Sequence, residues 1–210
     1  MSDATKINLS AKELELVCNA EWILTKQLII AKVYTIFGEA LPAMQDMIAA
    51  NANALPAKVV SSEPKISKGE NYLQLPYIML DYPRCFEKTD TIAIRTFFWW
   101  GNFFSSTLQL SGKHKTAAIP ALISNFSFLQ QSGYQICTGD DQWQHHFENN
   151  NYLPAENFTL SEFSAMLYRE PFIKIAKKIP LYQWDDVPQF IEASFVTLIS
   201  LLKKNYAPSL

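Results

Sequence analysis

The residues of this chain that could do chemistry gather at three places. The densest is "TGDDQWQHHFENN", Thr138 to Asn150, which holds two of the three histidines. On a helical turn Asp141 and His145 stand at i and i+4, and His145 and Glu148 at i and i+3. Two carboxylates and an imidazole on one face could hold a divalent cation, and a water on that cation could act as nucleophile. The pattern is not the H-E-x-x-H of zinc proteases, and His146 points away from His145 on a helix or a strand. A polar loop anchored by Trp143 and Phe147 explains the same residues without a metal.

The second place is "TIAIRTFFWWGNFFSSTLQLSG", Thr91 to Gly112, with six aromatic residues between Phe97 and Phe104 and one early charge, Arg95. A guanidinium among apolar neighbours needs a carboxylate or a ligand anion beside it. Asp81, in "YIMLDYPR" on the preceding strand, is the natural partner. A site built here would consist of Arg95, Asp81, Trp99 and Trp100 and would take a small apolar or anionic ligand. The third place is His114 in "SGKHKT", with Ser111 or the distant Cys137 as conceivable nucleophiles. No GxSxG elbow supports that pairing, and Lys113, His114 and Lys115 ahead of a helix make at most a weak anion site. Six glycines write no phosphate-binding loop, so no cofactor is expected.

These residues need elements to position them. Ser10 and Glu13 form a capping box for a long N-terminal helix, apolar on most of its circumference around "WILTKQLIIAKVYTIF" and therefore read as central. Gly38 ends or bends it, and Leu41 to Ala52 reads as a second helix. Leu55 to Asn71 is an exposed loop. "YLQLPYIMLDYP" is a strand that Pro76 assigns to an edge or a bulge. The flanks of Gly101-Asn102 pair as a hairpin through a two-residue type II′ turn, placing Trp100 opposite Phe103, Phe98 opposite Ser105 and Arg95 with Leu108. Ala117 to Gln131 is helical with Gly133 as its stop, and "YQIC" is a short strand. Thr159 with Glu162 caps a further helix, "PFIKIAKKIPL" alternates as a strand, and Asp186 caps an amphipathic C-terminal helix ending near Lys203 and Lys204.

The fold class expected is α+β: an antiparallel aromatic-rich sheet packed by the long N-terminal and the amphipathic C-terminal helix, in one domain over residues 1–210. With 49% apolar and 18% charged residues, the chain can bury one substantial core. A formal charge of -2 gives no basic surface for nucleic acid or anionic lipid, and the aromatic block lacks the interleaved basic residues of RNA readers. Three scattered cysteines and no secretory pattern in the first residues lead to the expectation of a cytoplasmic protein without a disulfide framework. No membrane partner is expected. Functionally, a ribbon with aromatic residues on both faces must be covered on both. The leading reading is a non-catalytic binding or self-associating protein, a homo-oligomer or small-ligand binder using that sheet. The alternative is a metal-dependent hydrolase centred on Asp141, His145 and Glu148.

Overall fold

Alternating side chains in the longest strands sort into an apolar set and a mixed set, and the sheet is built on that division. The computed structural model describes residues 7–203. Seven antiparallel strands, β1 (Lys65–Tyr72), β2 (Leu75–Phe86), β3 (Thr91–Trp99), β4 (Phe103–Ser111), β5 (Gln135–Cys137), β6 (Tyr152–Pro154) and β7 (Phe172–Pro180), lie in the order β1-β2-β3-β4-β7-β5-β6. The α+β class is as expected, and capping boxes open α1 (Ala11–Cys18) at Ser10 and α6 (Leu160–Arg169) at Thr159. One face of the sheet is apolar, with Ile94, Phe98, Phe104, Leu108 and Ile175 buried there. Against it pack α2 (Ala20–Ala50), α4 (Gly112–Ser124) and α7 (Val187–Ser200): Phe37 meets the Phe104 ring edge-on at 6.3 Å, and Phe195 stacks on Tyr82 at 6.2 Å.

The hairpin forms, but its register differs from the two-residue reading. Trp100, Gly101 and Asn102 make a three-residue turn; Gly101 has φ +70°, and the Asn102 amide donates to the Trp99 carbonyl at 3.1 Å. The pairs are therefore Trp99 with Phe103, Phe98 with Phe104, Phe97 with Ser105 and Arg95 with Thr107. Residues directly opposite share a face, so a slip of one residue exchanges the faces of an entire strand. Ile92, Ile94 and Phe98 can meet Phe104, Leu108 and Leu110 only across an odd-length turn, and burying all six against the helices selects it.

The N-terminal region also differs. Gly38 does not end the helix: α2 runs 31 residues straight through Gly38 and Pro42. The amide that Pro42 lacks would have bonded the Gly38 carbonyl, so both breakers weaken the same turn. Ile30, Val33 and Phe37 before that turn and Met44 and Ile48 after it form one buried stripe, which outweighs a cost of about 3 kcal/mol for an interior proline. The break falls instead at Asn19, whose side chain caps α2 through the Trp22 amide. The helix is not central along its whole length either, because α1 has no buried residue and α2 has none before Ile30.

Smaller differences follow from local hydrogen bonding. β2 is an interior strand; Pro76 sits near its start, beside the irregularity of the β1–β2 pairing, and Tyr82 and Pro83 lie within the shift between Asp81 and Arg84. A proline with no amide to donate fits such shifts. Within the stretch expected as loop, residues 57–60 form a short helix, α3 (Ala57–Val60), and residues 65–71 belong to β1. The helix expected from Ala117 starts earlier, at Gly112, so His114 and Lys115 lie in α4, and Asn125 separates it from α5 (Phe126–Gln131). Asp186 makes no side-chain cap bond to α7. Lys204 lies outside the described residues.

Candidate functional site

The second face of the sheet is where the chain departs from ordinary core chemistry. Arg95 on β3 stands directly opposite Asp81 on β2. Its Nε donates to Asp81 Oδ1 at 2.7 Å and its Nη2 to Oδ2 at 3.0 Å, a bidentate pair whose side chains are only 9% and 7% exposed. The third nitrogen of the guanidinium is taken as well: Nη1 donates to His145 Nε2 at 3.0 Å. A guanidinium is always a donor, so His145 must be a neutral imidazole carrying its proton on Nδ1. Burial, and then the nearby charges of Arg95, Lys174 and His146, hold its pKa well below the ordinary histidine value, in agreement with that tautomer.

His145 belongs to an irregular segment, residues 138–151, that roofs this face. Each anchoring point of the roof is a polar side chain on a strand. Tyr72 at the end of β1 accepts from the His145 amide at 2.6 Å and the His146 amide at 3.0 Å, and its hydroxyl donates to Gln144 Oε1 at 3.2 Å. Gln109 on β4 donates to Gln142 Oε1 at 3.1 Å. Lys174 on β7, wholly buried, donates to the Gln144 carbonyl, and its ammonium lies 5.1 Å from the Tyr152 ring centre. Burial draws the Lys174 pKa down to about 8. Tyr152 is buried and stacked on Phe147 at 4.6 Å; burial raises its phenol pKa well above the usual value.

At the hairpin end the same roof closes over rings. Phe97, Trp99 and Phe103 form a buried cluster with Tyr72, Tyr77 and Phe147. Trp99 and Trp100 part company: Trp99 lies on this face with its indole donating to the Tyr72 carbonyl, whereas Trp100 packs with Phe98 on the helix side. Of the four expected pocket residues, Arg95 and Asp81 are brought together, Trp99 lies on the same face but in the ring cluster, and Trp100 is on the other face. Arg95, Asp81 and Trp99 are sealed in, and both sheet faces are covered by this chain alone over the aromatic block.

The metal set does not assemble. Residues 141–148 are turn and irregular chain rather than helix, so the i, i+3 and i, i+4 spacings do not place the three side chains together. Asp141 accepts from the Trp143 amide and from Gln144 Nε2, and His145 is committed to Arg95. Among the described residues no group of three His, Cys, Asp or Glu side chains is placed to hold a metal ion. Nor does a nucleophile meet a base: the Ser111 hydroxyl accepts from the Thr91 amide and donates to the Thr89 carbonyl, and burial raises the Cys137 thiol. His114 is buried, with Nε2 unpartnered.

The open part of this face lies at the far end of the roof. There a cleft of about 760 Å³ is lined by Phe86, Trp143 and Phe172, with Lys88, Asp140 and Asp141 among its polar residues. The rings of Phe86 and Trp143 are 5.9 Å apart and tilted, and both are partly exposed. The Arg95 guanidinium lies 5.8 Å from the Phe86 ring centre, which links the sealed network to the cleft. A second hollow of about 400 Å³ shares Phe172 and is bordered by Cys137, Glu162 and Arg169. Lys174, Tyr152, Tyr72 and Gln109 were not singled out as site residues. For Lys174 a signal existed: a cation between Ile173 and Ile175 in a strand is the pattern that marked Arg95. No protein-family model, curated protein or solved structure matches this chain.

Proposed function

We propose that the chain is a non-catalytic binding protein that takes a small ligand in the cleft between residues 140–143 and the ends of β2 and β7. The observation that carries this reading is the partly exposed Phe86–Trp143 pair beside a cleft of about 760 Å³, a volume typical of small-molecule sites. Aromatic walls favour an apolar or planar body. Arg95, the strand charge that suggested an anion, has each of its three nitrogens bonded to Asp81 or His145. Asp140 and Asp141 at the cleft favour a head that donates hydrogen bonds or carries positive charge.

The dispersal of the Asp141, His145 and Glu148 side chains, and the absence of a nucleophile–base pair in this face, support binding over hydrolysis. The test is ligand-observed NMR with phenethylamine, phenethyl alcohol and phenylacetate. The first two should bind more strongly than the third, and Trp143→Ala should weaken them on the order of tenfold or more, the loss of one stacking wall. No binding at millimolar concentration, or binding untouched by Trp143→Ala, would overturn the reading.

A further inference from the structure

The second half of α2 and the whole of α7 carry no lysine or arginine. Residues 33–50 hold two carboxylates, Glu39 and Asp46, and residues 181–200 hold three, Asp185, Asp186 and Glu192. Two and three give these segments a formal charge of -5, against -2 for the entire chain. All five side chains are exposed, and none belongs to an ion pair among the described residues. Between the two helices lies a hollow of about 250 Å³. Ala40 and Ala43 of α2 and Pro188 of α7 line it, and side chains so short do not fill the space between two packed helices. Met44 and Met47 make its floor apolar, while Glu39 from one helix and Glu192 from the other complete its lining.

We propose that this groove docks an amphipathic helix of a partner protein, whose apolar side chains enter the hollow and whose flanking residues are lysine or arginine. The charge chooses that occupant. Unpaired carboxylates of one sign on both helices attract a cationic partner and repel anionic lipid and nucleic acid. A second copy meeting this face about a two-fold axis would set the same carboxylates against each other. The volume chooses side chains over a free small molecule, since it falls below the roughly 300 Å³ at which small-molecule sites begin. Methionine side chains, unbranched and polarizable, let Met44 and Met47 fit the apolar residues that enter. The groove lies on the helix-covered side of the sheet and shares no lining residue with the Phe86–Trp143 cleft, so this proposal is independent of the cleft.

Fluorescence anisotropy on the full chain tests it, with a labelled amphipathic helix of leucine and lysine as the probe, at about 0.15 M salt so that distant charges are screened. The probe should bind with a micromolar Kd. Ala43→Trp fills the hollow from an exposed position, so it should leave the fold intact by near-UV circular dichroism and weaken binding on the order of tenfold or more. Glu39→Lys/Glu192→Lys should weaken it by a similar factor. Glu148→Lys/Glu156→Lys makes the same change of charge at exposed residues outside the groove and should cost less than about threefold, and Trp143→Ala in the cleft should cost nothing. No binding below about 100 μM overturns the proposal, as does indifference to Ala43→Trp or an equal loss in Glu148→Lys/Glu156→Lys. Equal binding of the same helix with glutamate for lysine, or of hexalysine, overturns it too, the first by removing the charge argument and the second by removing the apolar one.

Discussion

The Arg95–Asp81 pair allows a sharp test of how the second face is held together. Replacing either member strands the other: Arg95→Met leaves a carboxylate 7% exposed, and Asp81→Leu leaves a guanidinium 9% exposed with one remaining partner, neutral His145. Each single substitution should cost about 3–5 kcal/mol, the usual penalty for a buried charge without its counter-ion. At about 2–4 °C per kcal/mol for a chain of this size, the midpoint of thermal unfolding falls by roughly 6–20 °C. Arg95→Met/Asp81→Leu removes both charges and keeps most of the volume, so it should cost less than either single substitution. Urea unfolding of the four proteins measures the coupling directly. If the single losses are below about 1 kcal/mol, or if they simply add in the double variant, the pair is not the buried, mutually dependent unit described here.

Other outcomes follow from the same network. Tyr72→Phe removes the acceptor of the His145 and His146 amides and should cost about 1–3 kcal/mol, with faster amide exchange confined largely to residues 138–151. His145 has a folded pKa lowered first by burial and then by Arg95, so the unfolded chain binds its proton more readily. Stability from this group is complete above its unfolded value of about 6.5 and is lost as pH falls below it. His145→Gln should therefore flatten the acid side of the stability profile relative to wild type, leaving the smaller slope of His114, which burial shifts the same way. Lys174, with its folded pKa drawn down to about 8, gives the same sign in a different window. Between pH 8 and its unfolded value of about 10.4, wild-type stability should rise relative to Lys174→Met by about 1.4 kcal/mol per pH unit. A flat difference curve there would mean that Lys174 is solvated rather than held under the roof.

The fold was legible wherever local chemistry and burial asked for the same thing. Ser10 with Glu13 and Thr159 with Glu162 stated two helix starts, and the alternation of Ile173, Ile175 and Ile179 against Lys174 and Ala176 stated β7 and its two faces. The hairpin register was also written in the chain, because the apolar positions of β3 and β4 match only across an odd-length turn. Reading Gly-Asn as a two-residue turn gave local turn chemistry priority over that alternation. At Gly38 and Pro42 the local signal for a break was real, but buried residues on both sides of it decided the outcome. Arg95 and Asp81 were legible as a pair for a simple reason: each is a charge in a strand otherwise too apolar to leave it alone.

The roof was not legible, and the physical reason lies in the strands beneath it. Arg95, Thr107, Gln109 and Lys174 present donors and acceptors on a buried face that need partners. A helix laid across them would offer almost none, since its own amides and carbonyls are paired along its length. An irregular segment offers them freely: the Gln144 carbonyl receives Lys174, the His145 and His146 amides reach Tyr72, and Gln142 meets Gln109. The polar strand face therefore selects a roof without regular structure, and that roof places His145 on Arg95 where helical spacing would have aimed it at Asp141. Because the roof is held by these bonds more than by a helix of its own, loosening it should need only the loss of an anchor such as Tyr72 or Lys174. The Phe86–Trp143 cleft, which opens at the end of the same segment, should then change with it.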